Sequence, residues 1–267
     1  MKIVTFATLK GGSGKTMNTF NIAGILAEHY KILLIDIDPQ CNLSADCGID
    51  TGDPDLLTVR DIFSNLSEAQ PKPEDVIFKH PIQQLPNLDI IPSSIMLFDT
   101  EMNMVNVTGR ENFLKFYFED YKKYLEEHYD YILIDTNPSM SVINVNAFYA
   151  ADSIVLTSDV SANSISGAEL FCALWNSKRK PLRKKNNIMA LILCNMDRRA
   201  NLGNDLIKYS SEAEFSKDIV LKTVIPATVK LKNTEIEHKT INVLYPKDEI
   251  TQIYINVIEE LKERGVF

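Results

Sequence analysis

The segment Lys2-Ile3-Val4-Thr5-Phe6-Ala7-Thr8-Leu9-Lys10-Gly11-Gly12-Ser13-Gly14-Lys15-Thr16 decides how the rest of the 267-residue chain is read. Its first half is a short apolar, β-branched run, too short for an ordinary helix and suited to a buried strand. Its second half is a glycine cluster, and a helical pattern follows from about Met17 to His29. Glycines let a backbone wrap closely around phosphate oxygens. The free N–H groups that open the next helix then point at the anion. In such a strand–loop–helix unit, Lys15 is expected to neutralise β- and γ-phosphate charge and the Thr16 hydroxyl to bind Mg²⁺. Gly11, Gly12, Ser13, Gly14 and Met17 complete the expected nucleotide cradle. The segment departs from the general GxxxxGK[ST] pattern once, because Leu9 takes the place of the first glycine.

Outward from this unit, apolar runs at 32–38, 88–92, 131–135, 153–158, 188–194 and 219–225 predict six further strands. Helical patterns separate most of them. Nearly all-apolar strands between helices imply a parallel sheet covered on both faces. The last helix is explicit, with Ile250, Ile253, Tyr254, Val257, Ile258 and Leu261 at helical spacing. Residues 95–128 read as mainly helical with a break near Thr108 and Gly109. Residues 66–87, with Pro71, Pro73, Pro81 and Pro86, read as an irregular surface excursion. No linker divides the chain. The expected fold is therefore α/β, a single P-loop NTPase domain over 1–267. It has a mostly parallel twisted sheet of about 7–8 strands flanked by helices on both faces.

Two acidic elements complete the expected phosphate chemistry. Asp135 ends the run Tyr131-Ile132-Leu133-Ile134-Asp135, which places it at the carboxyl edge of the sheet, where ligands bind in open α/β folds. It is the expected second magnesium ligand. In Leu33-Leu34-Ile35-Asp36-Ile37-Asp38-Pro39-Gln40, alternation puts Asp36 and Asp38 on one side of the strand. From there both carboxylates approach a metal and an attacking water. Phosphoryl transfer needs little beyond such positioning and charge compensation.

Composition narrows the setting. The chain holds 28 Lys and Arg against 36 Asp and Glu, a net charge of −8, and is 45% hydrophobic. These values exclude a mostly disordered or fibrous chain. No apolar run approaches the ~18–20 residues that cross a bilayer, and the N-terminus lacks the pattern of a secretory signal. A cytoplasmic location is expected. Cys41, Cys47, Cys172 and Cys194 form no CxxC pair and read as reduced structural thiols. Charge is uneven, since residues 178–232 hold 13 Lys or Arg against 5 Asp or Glu. A basic third in an acidic chain is an expected electrostatic footprint for nucleic acid.

Together these elements resemble the ParA/MinD family of deviant Walker ATPases, and its ParA/Soj branch in particular. The family pattern KGGxGKT, then DxDPQ, then DxxPS occurs in order, the last as Asp135-Thr136-Asn137-Pro138-Ser139. Ile90-Ile91-Pro92-Ser93-Ser94 resembles its IPSS segment. Asn146-Ala147 through Ala150-Ala151-Asp152 resembles NAxxAAD. Asp197-Arg198-Arg199-Ala200-Asn201-Leu202 resembles DxRTNL, and Ile225-Pro226 resembles IPR. Departures are Met17 for a second Thr, Asn137 for a common Pro, Ala227 for the Arg of IPR, and Ser161-Ala162 for Pro-Glu. The last of these leaves that loop without an assigned role.

The resemblance implies roles that composition cannot. Lys10 matches the signature lysine that reaches across an ATP-sandwich homodimer to the partner's phosphates. Asp38 matches the acid that orients the attacking water, and Asp36 lies nearer the magnesium shell. Pro226 and Asn195 fall where the family encloses adenine. Arg199 and Lys230 align with positions that contact DNA non-specifically, with Lys222 and Lys232 near Lys230. The 178–185 basic run keeps both readings, a DNA surface or a solvated loop. The implied cofactors are ATP and Mg²⁺. The implied partners are a second copy of the chain, non-specific DNA on the nucleoid, and a ParB-like centromere-binding protein. No helix-turn-helix domain is expected ahead of Lys2. The acidic end Glu259-Glu260-Leu261-Lys262-Glu263 is unlike a membrane-targeting tail. The alternative is a MinD-like positioning ATPase acting on a membrane or another non-DNA cargo.

Overall fold

The computed structural model describes residues 1–64, 70–196 and 201–267. Among them, seven strands form one sheet: β1 (Lys2–Ala7), β2 (Ile32–Asp36), β3 (Phe78–Lys79), β4 (Leu88–Ile91), β5 (Tyr131–Asp135), β6 (Ser153–Asp159) and β7 (Ile188–Cys194). Their order is β3-β4-β2-β5-β1-β6-β7, and only the β3–β4 pair is antiparallel. The helices that connect and cover them are α1 (Lys15–Leu26), α2 (Asn42–Asp46), α3 (Val59–Ser64), α4 (Pro73–Val76), α5 (Leu97–Asn103), α6 (Phe113–Asp120) and α7 (Lys122–His128). There follow α8 (Val142–Ala150), α9 (Ala162–Arg179), α10 (Asn201–Glu212), α11 (Val229–Glu237), α12 (Ile241–Leu244) and α13 (Glu249–Glu263). Among the described residues, no helix is long and apolar enough to cross a membrane.

The period of two along each strand sorts the side chains into two layers. Val4, Phe6, Leu34 and Leu133 pack with Phe20 and Ile22 of α1 and with Tyr254, Val257 and Leu261 of α13. Their neighbours Ile3, Leu33, Ile35, Ile132 and Ile134 pack on the other face with Tyr117, Leu125 and Ile143. Each fully buried Leu, Ile or Phe contributes roughly 1.5–3 kcal/mol. The strands are therefore held by burial on both sides. The stripe read on the last helix faces this core, and Tyr254 also donates its hydroxyl to Asn18 Oδ1 at 2.8 Å. Gly24 is where α1 meets α12, since a Cβ there would lie 2.4 Å from Thr240.

Parallel register brings the acids together. Phe6 and Asp36 both pair with Asp135, so β1, β2 and β5 end level with one another. The phosphate loop leaves β1 at that edge. The break expected near Thr108 is present, with Gly109 at φ 72° between α5 and α6.

Two expectations are corrected. Residues 219–225 are not a strand, although Leu191 pairs with Val220 and Met196 with Pro226 in isolated bridges. The Glu260 carboxylate accepts the Lys222 and Thr223 N–H groups at 2.7 and 2.8 Å, which takes them out of any ladder with β7. The sheet reaches seven strands through β3 instead, which lies inside the proline-rich excursion together with α4.

Candidate functional site

The glycine loop is shaped by two left-handed glycines, Gly12 at φ 77° and Gly14 at φ 74°. A Cβ added to Gly11 or Gly12 would meet nothing within 4 Å, so the loop's outer side has room for a ligand. Thr8 organises the turn, its Oγ1 accepting from the Lys10 N–H at 3.2 Å and from the Ser13 hydroxyl at 3.0 Å. Gly14 begins α1 without a side-chain cap. The first N–H groups of that helix are therefore left for an anion. From beneath, the Cys194 thiol donates to the Ser13 carbonyl at 2.9 Å.

Asp135 is wholly buried and anchors the loop's two reactive side chains. Its Oδ1 receives Lys15 Nζ at 2.8 Å, and its Oδ2 receives the Thr16 hydroxyl at 2.7 Å. A hydroxyl and a carboxylate are the hard oxygen donors that suit Mg²⁺. Asp38 is buried and its Oδ1 accepts the Gln40 N–H at 2.9 Å. Burial raises its carboxyl pKa. The Gln40 N–H and the nearby Lys15 oppose that rise, and Asp135 adds to it. Asp36, expected nearer the magnesium shell, lies buried at the end of β2. Its Oδ1 accepts the Asp38 N–H, and its Oδ2 accepts both the N–H and the hydroxyl of Ser44 at 2.9 and 2.7 Å. It thus joins the end of β2 to α2. Burial, then Asp135, push its carboxyl to about 7 against those hydrogen bonds.

A cavity of about 1010 Å³ opens over the loop. Of the residues named from sequence, Lys10 to Met17, Asp38, Asn195 and Lys232 line it. Asp36 and Asp135 lie behind that lining, the latter covered by Lys15 and Thr16. Pro226 is bridged to Met196, and the adjoining Ala227 and Thr228 face the cavity. Asn195, at φ 54°, donates its Nδ2 to the Gly12 carbonyl at 3.2 Å and so ties this wall to the phosphate loop.

The family model for an AAA domain matches residues 1–190. The sporulation initiation inhibitor protein Soj of Bacillus subtilis is 32% identical over 265 residues, covering 99% of each chain. The chain belongs to the ParA/Soj family of P-loop ATPases. Among solved structures, apo McdA of Cyanothece superposes with a TM-score of 0.84 at 21% identity, covering 98% of this chain and 99% of that one. A putative plasmid partition protein of Borrelia burgdorferi bound to AMPPNP gives 0.77 at 23% identity, covering 98% and 99%. The two share the ParA/Soj fold with this chain.

Other parts of this ParA/Soj site were invisible in the sequence. Lys10 Nζ bonds Asp159 Oδ2 and the Ser161 hydroxyl, each at 3.1 Å, across 149 and 151 residues. The loop left without a role therefore holds the signature lysine. The expected DNA-contact residues are dispersed in their bonding. Lys230 is ion-paired with Asp248, Lys232 opens onto the cavity, and Lys222 is exposed beside Glu260. Arg199 lies outside the described residues.

Asp46 and Glu235 also line the cavity and were not singled out. Burial first, then Glu235, Asp135 and Asp36, push the Asp46 carboxyl up to about 8. An acid whose folded pKa exceeds its unfolded value holds an extra proton in the folded state between the two. Stability then falls as pH rises through that window. The cost of ionising Asp46 is absent below pH ~4 and complete above pH about 8. Asp46→Asn is therefore expected to leave the melting temperature near pH ~4 almost unchanged and to raise it by several degrees at pH about 8. Thermal melts of the nucleotide-free protein across this range check it, and equal shifts at both ends contradict it.

Proposed function

We propose that this protein is a Mg²⁺-dependent ATPase that partitions plasmid or chromosomal DNA. In this reading an ATP-held homodimer binds DNA without sequence preference, and hydrolysis stimulated by a ParB-like partner releases it. The observation that carries the reading is the convergence of Lys15 and Thr16 on Asp135, beneath a glycine loop with open space on its outer side.

The proposed roles rest on the family resemblance and, for the residues that line the cavity, on its geometry. Lys15 exchanges its buried partner Asp135 for phosphate oxygens, so its charge is compensated before and after binding. The loop and α1 N–H groups hold the phosphates. Thr16 and Asp135 would hold magnesium, with Asp36 behind them fixing α2. Bound there, the metal supplies positive charge against the β- and γ-phosphates. Asp38, at the cavity wall, orients the attacking water. Asn195 and the segment at Pro226 enclose the base. Lys10 leaves Asp159 and Ser161 to reach the partner's phosphates. Arg199, Lys222, Lys230 and Lys232 contact DNA phosphates, and the protein resides on the nucleoid. Against a membrane role, the apolar residues Tyr254, Val257 and Leu261 of the last helix are already spent on the core.

Lys10→Ala tests the cycle. The variant is expected to bind ATP as a monomer but to lose ATP-dependent dimerisation, and with it ATP-dependent retention on unrelated duplex DNA. Light scattering and DNA sedimentation, each with ATP and with ADP, measure this. Normal dimerisation of the variant removes Lys10 from the interface. Absence of ATP-dependent DNA retention in the wild type defeats the partition reading.

A further inference from the structure

Residues 178–185, Lys-Arg-Lys-Pro-Leu-Arg-Lys-Lys, carry six cations and no acid in a chain of net charge −8. They span the last turn of α9 and its connection to β7, at the edge where β7 begins. The nucleotide loop lies at the opposite edge, where β1 ends. Strands of six or seven residues separate the two edges, about 20 Å at ~3.3 Å per residue.

The segment has a built conformation. The Arg179 guanidinium donates to the Lys184 carbonyl at 3.2 Å, and the Lys184 N–H donates to the Arg179 carbonyl at 3.0 Å. Lys184 Nζ sits 5.9 Å from the centre of the Tyr149 ring, and Lys115 Nζ from α6 sits 5.2 Å from the same centre. One aromatic ring thus draws two ammonium groups together. Burial lowers the Lys184 pKa, Asp152 opposes the shift and Lys115 adds to it. Two acids lie nearby: Asp152 accepts the Ile3 N–H at 2.9 Å, and Glu119 pairs with the bracing Lys115 at 3.5 Å. Lys178, Lys180, Arg183 and Lys185 are exposed. None of them has an ion pair with an acid among the described residues.

The shape of the cluster selects its partner. A small anion needs donors converging on a recess, whereas these cations are strung along a turn. A membrane-surface segment sets an apolar face beside its cations. Here Leu182, the bulky apolar residue of the run, packs against the core. A row of exposed cations without base-reading geometry suits a phosphodiester chain, bound through phosphates alone.

We propose that residues 178–185, braced by Lys115 and Tyr149, form a second DNA-phosphate surface that binds duplex DNA without nucleotide, at the end of the molecule remote from the ATP site. It is separate from the contacts assigned above to Arg199, Lys222, Lys230 and Lys232, requires no dimer, and is the weaker contact, so that loss of the ATP dimer still releases the protein.

The test uses the full chain with Lys178, Lys180 and Lys185 all changed to Glu, beside the wild type and Lys230→Glu. Binding to a short unrelated duplex is measured without nucleotide over a salt series. Vesicles rich in anionic lipid form a second arm, because Leu170 and Leu174 are exposed further up α9. The wild type is expected to bind the duplex and the triple variant to lose at least ~10-fold in affinity. Three lost phosphate contacts lower the log–log salt slope by about 2.7, so raising salt from ~50 to ~200 mM costs the wild type about forty times more affinity than the variant. Lys230→Glu is expected to keep its nucleotide-free binding. Basal ATP hydrolysis should be unchanged in the triple variant. If it falls, the matching triple Gln variant decides, since it removes charge alone. Wild-type affinity and slope in the charge variants overturn the proposal. So does a wild type that binds no duplex without nucleotide, or one that binds vesicles in preference. The gain in DNA retention on adding ATP, read on the same samples, reports on the partition cycle alone. Its absence beside intact patch binding defeats that cycle and leaves this surface standing.

Discussion

Lys15→Ala is expected to abolish ATP binding and to destabilise the protein at the same time. Lys15 and Asp135 form an ion pair whose side chains are 6% and 0% exposed. Removing one partner of a buried pair typically costs ~3–5 kcal/mol, because the remaining charge keeps its desolvation penalty. Asp135 would retain only the Thr16 hydroxyl and a longer contact from Thr19 at 3.4 Å. For a domain of this size, that loss lowers the melting temperature by about 2–4 °C per kcal/mol. The binding loss is separate, since Lys15 is also the main counter-charge for the phosphates. The double variant Lys15→Ala, Asp135→Asn isolates the stability effect, since it removes the stranded charge along with a proposed magnesium ligand. It should recover most of the melting temperature and still show at least ~100-fold weaker ATP binding, as expected when a charge-assisted contact of roughly 3 kcal/mol is lost. Calorimetric titration with ATP and a thermal melt measure both quantities. Wild-type affinity in either variant would remove Lys15 from the phosphate site.

Asp38→Ala has the second large effect, on turnover rather than on binding. Positioned acid–base groups contribute typically 10²–10⁴-fold. A loss of at least ~100-fold in hydrolysis is expected, with ATP affinity nearly intact and the ATP dimer accumulating on DNA. Asp38 is 5% exposed and held by the Gln40 N–H, so its carboxylate is fixed rather than wandering. Because burial raises its pKa, hydrolysis by the wild type should also decline on the acid side sooner than an ordinary carboxylate would dictate. Single-turnover hydrolysis and a pH profile check both points. Wild-type turnover in Asp38→Ala takes this residue out of the chemistry.

Local signals were legible in the sequence and distant pairings were not. The phosphate loop, the strand ends at Asp36 and Asp135, and the stripe of α13 each depend on residues a few positions apart. Periodicity and motif therefore sufficed. Residues 219–225 have the composition of a strand, and Leu221 and Ile225 still donate to β7 carbonyls, but Glu260, 38 positions from Lys222, holds the Lys222 and Thr223 N–H groups and interrupts the ladder. The grip of Asp159 and Ser161 on Lys10 and the pairing of Lys230 with Asp248 likewise join segments far apart in the chain. Glycine and lysine patterns announce phosphate chemistry because the ligand imposes them. No comparable pattern announces where a resting side chain is parked.

The two margins of the sheet bear on how copies of this protein can associate. An open edge strand is a template for another chain's backbone. On one side, β7 is covered by the 219–225 segment, whose Lys222 and Thr223 amides are held by Glu260. On the other, β3 is two residues long, and its Lys79 ammonium is bound by Asp89 and the Tyr129 hydroxyl. Among the described residues, neither margin presents a long open strand for pairing with another chain. Copies of this protein that associate are therefore expected to meet through helices and loops, with the backbone pairing within each sheet unaltered.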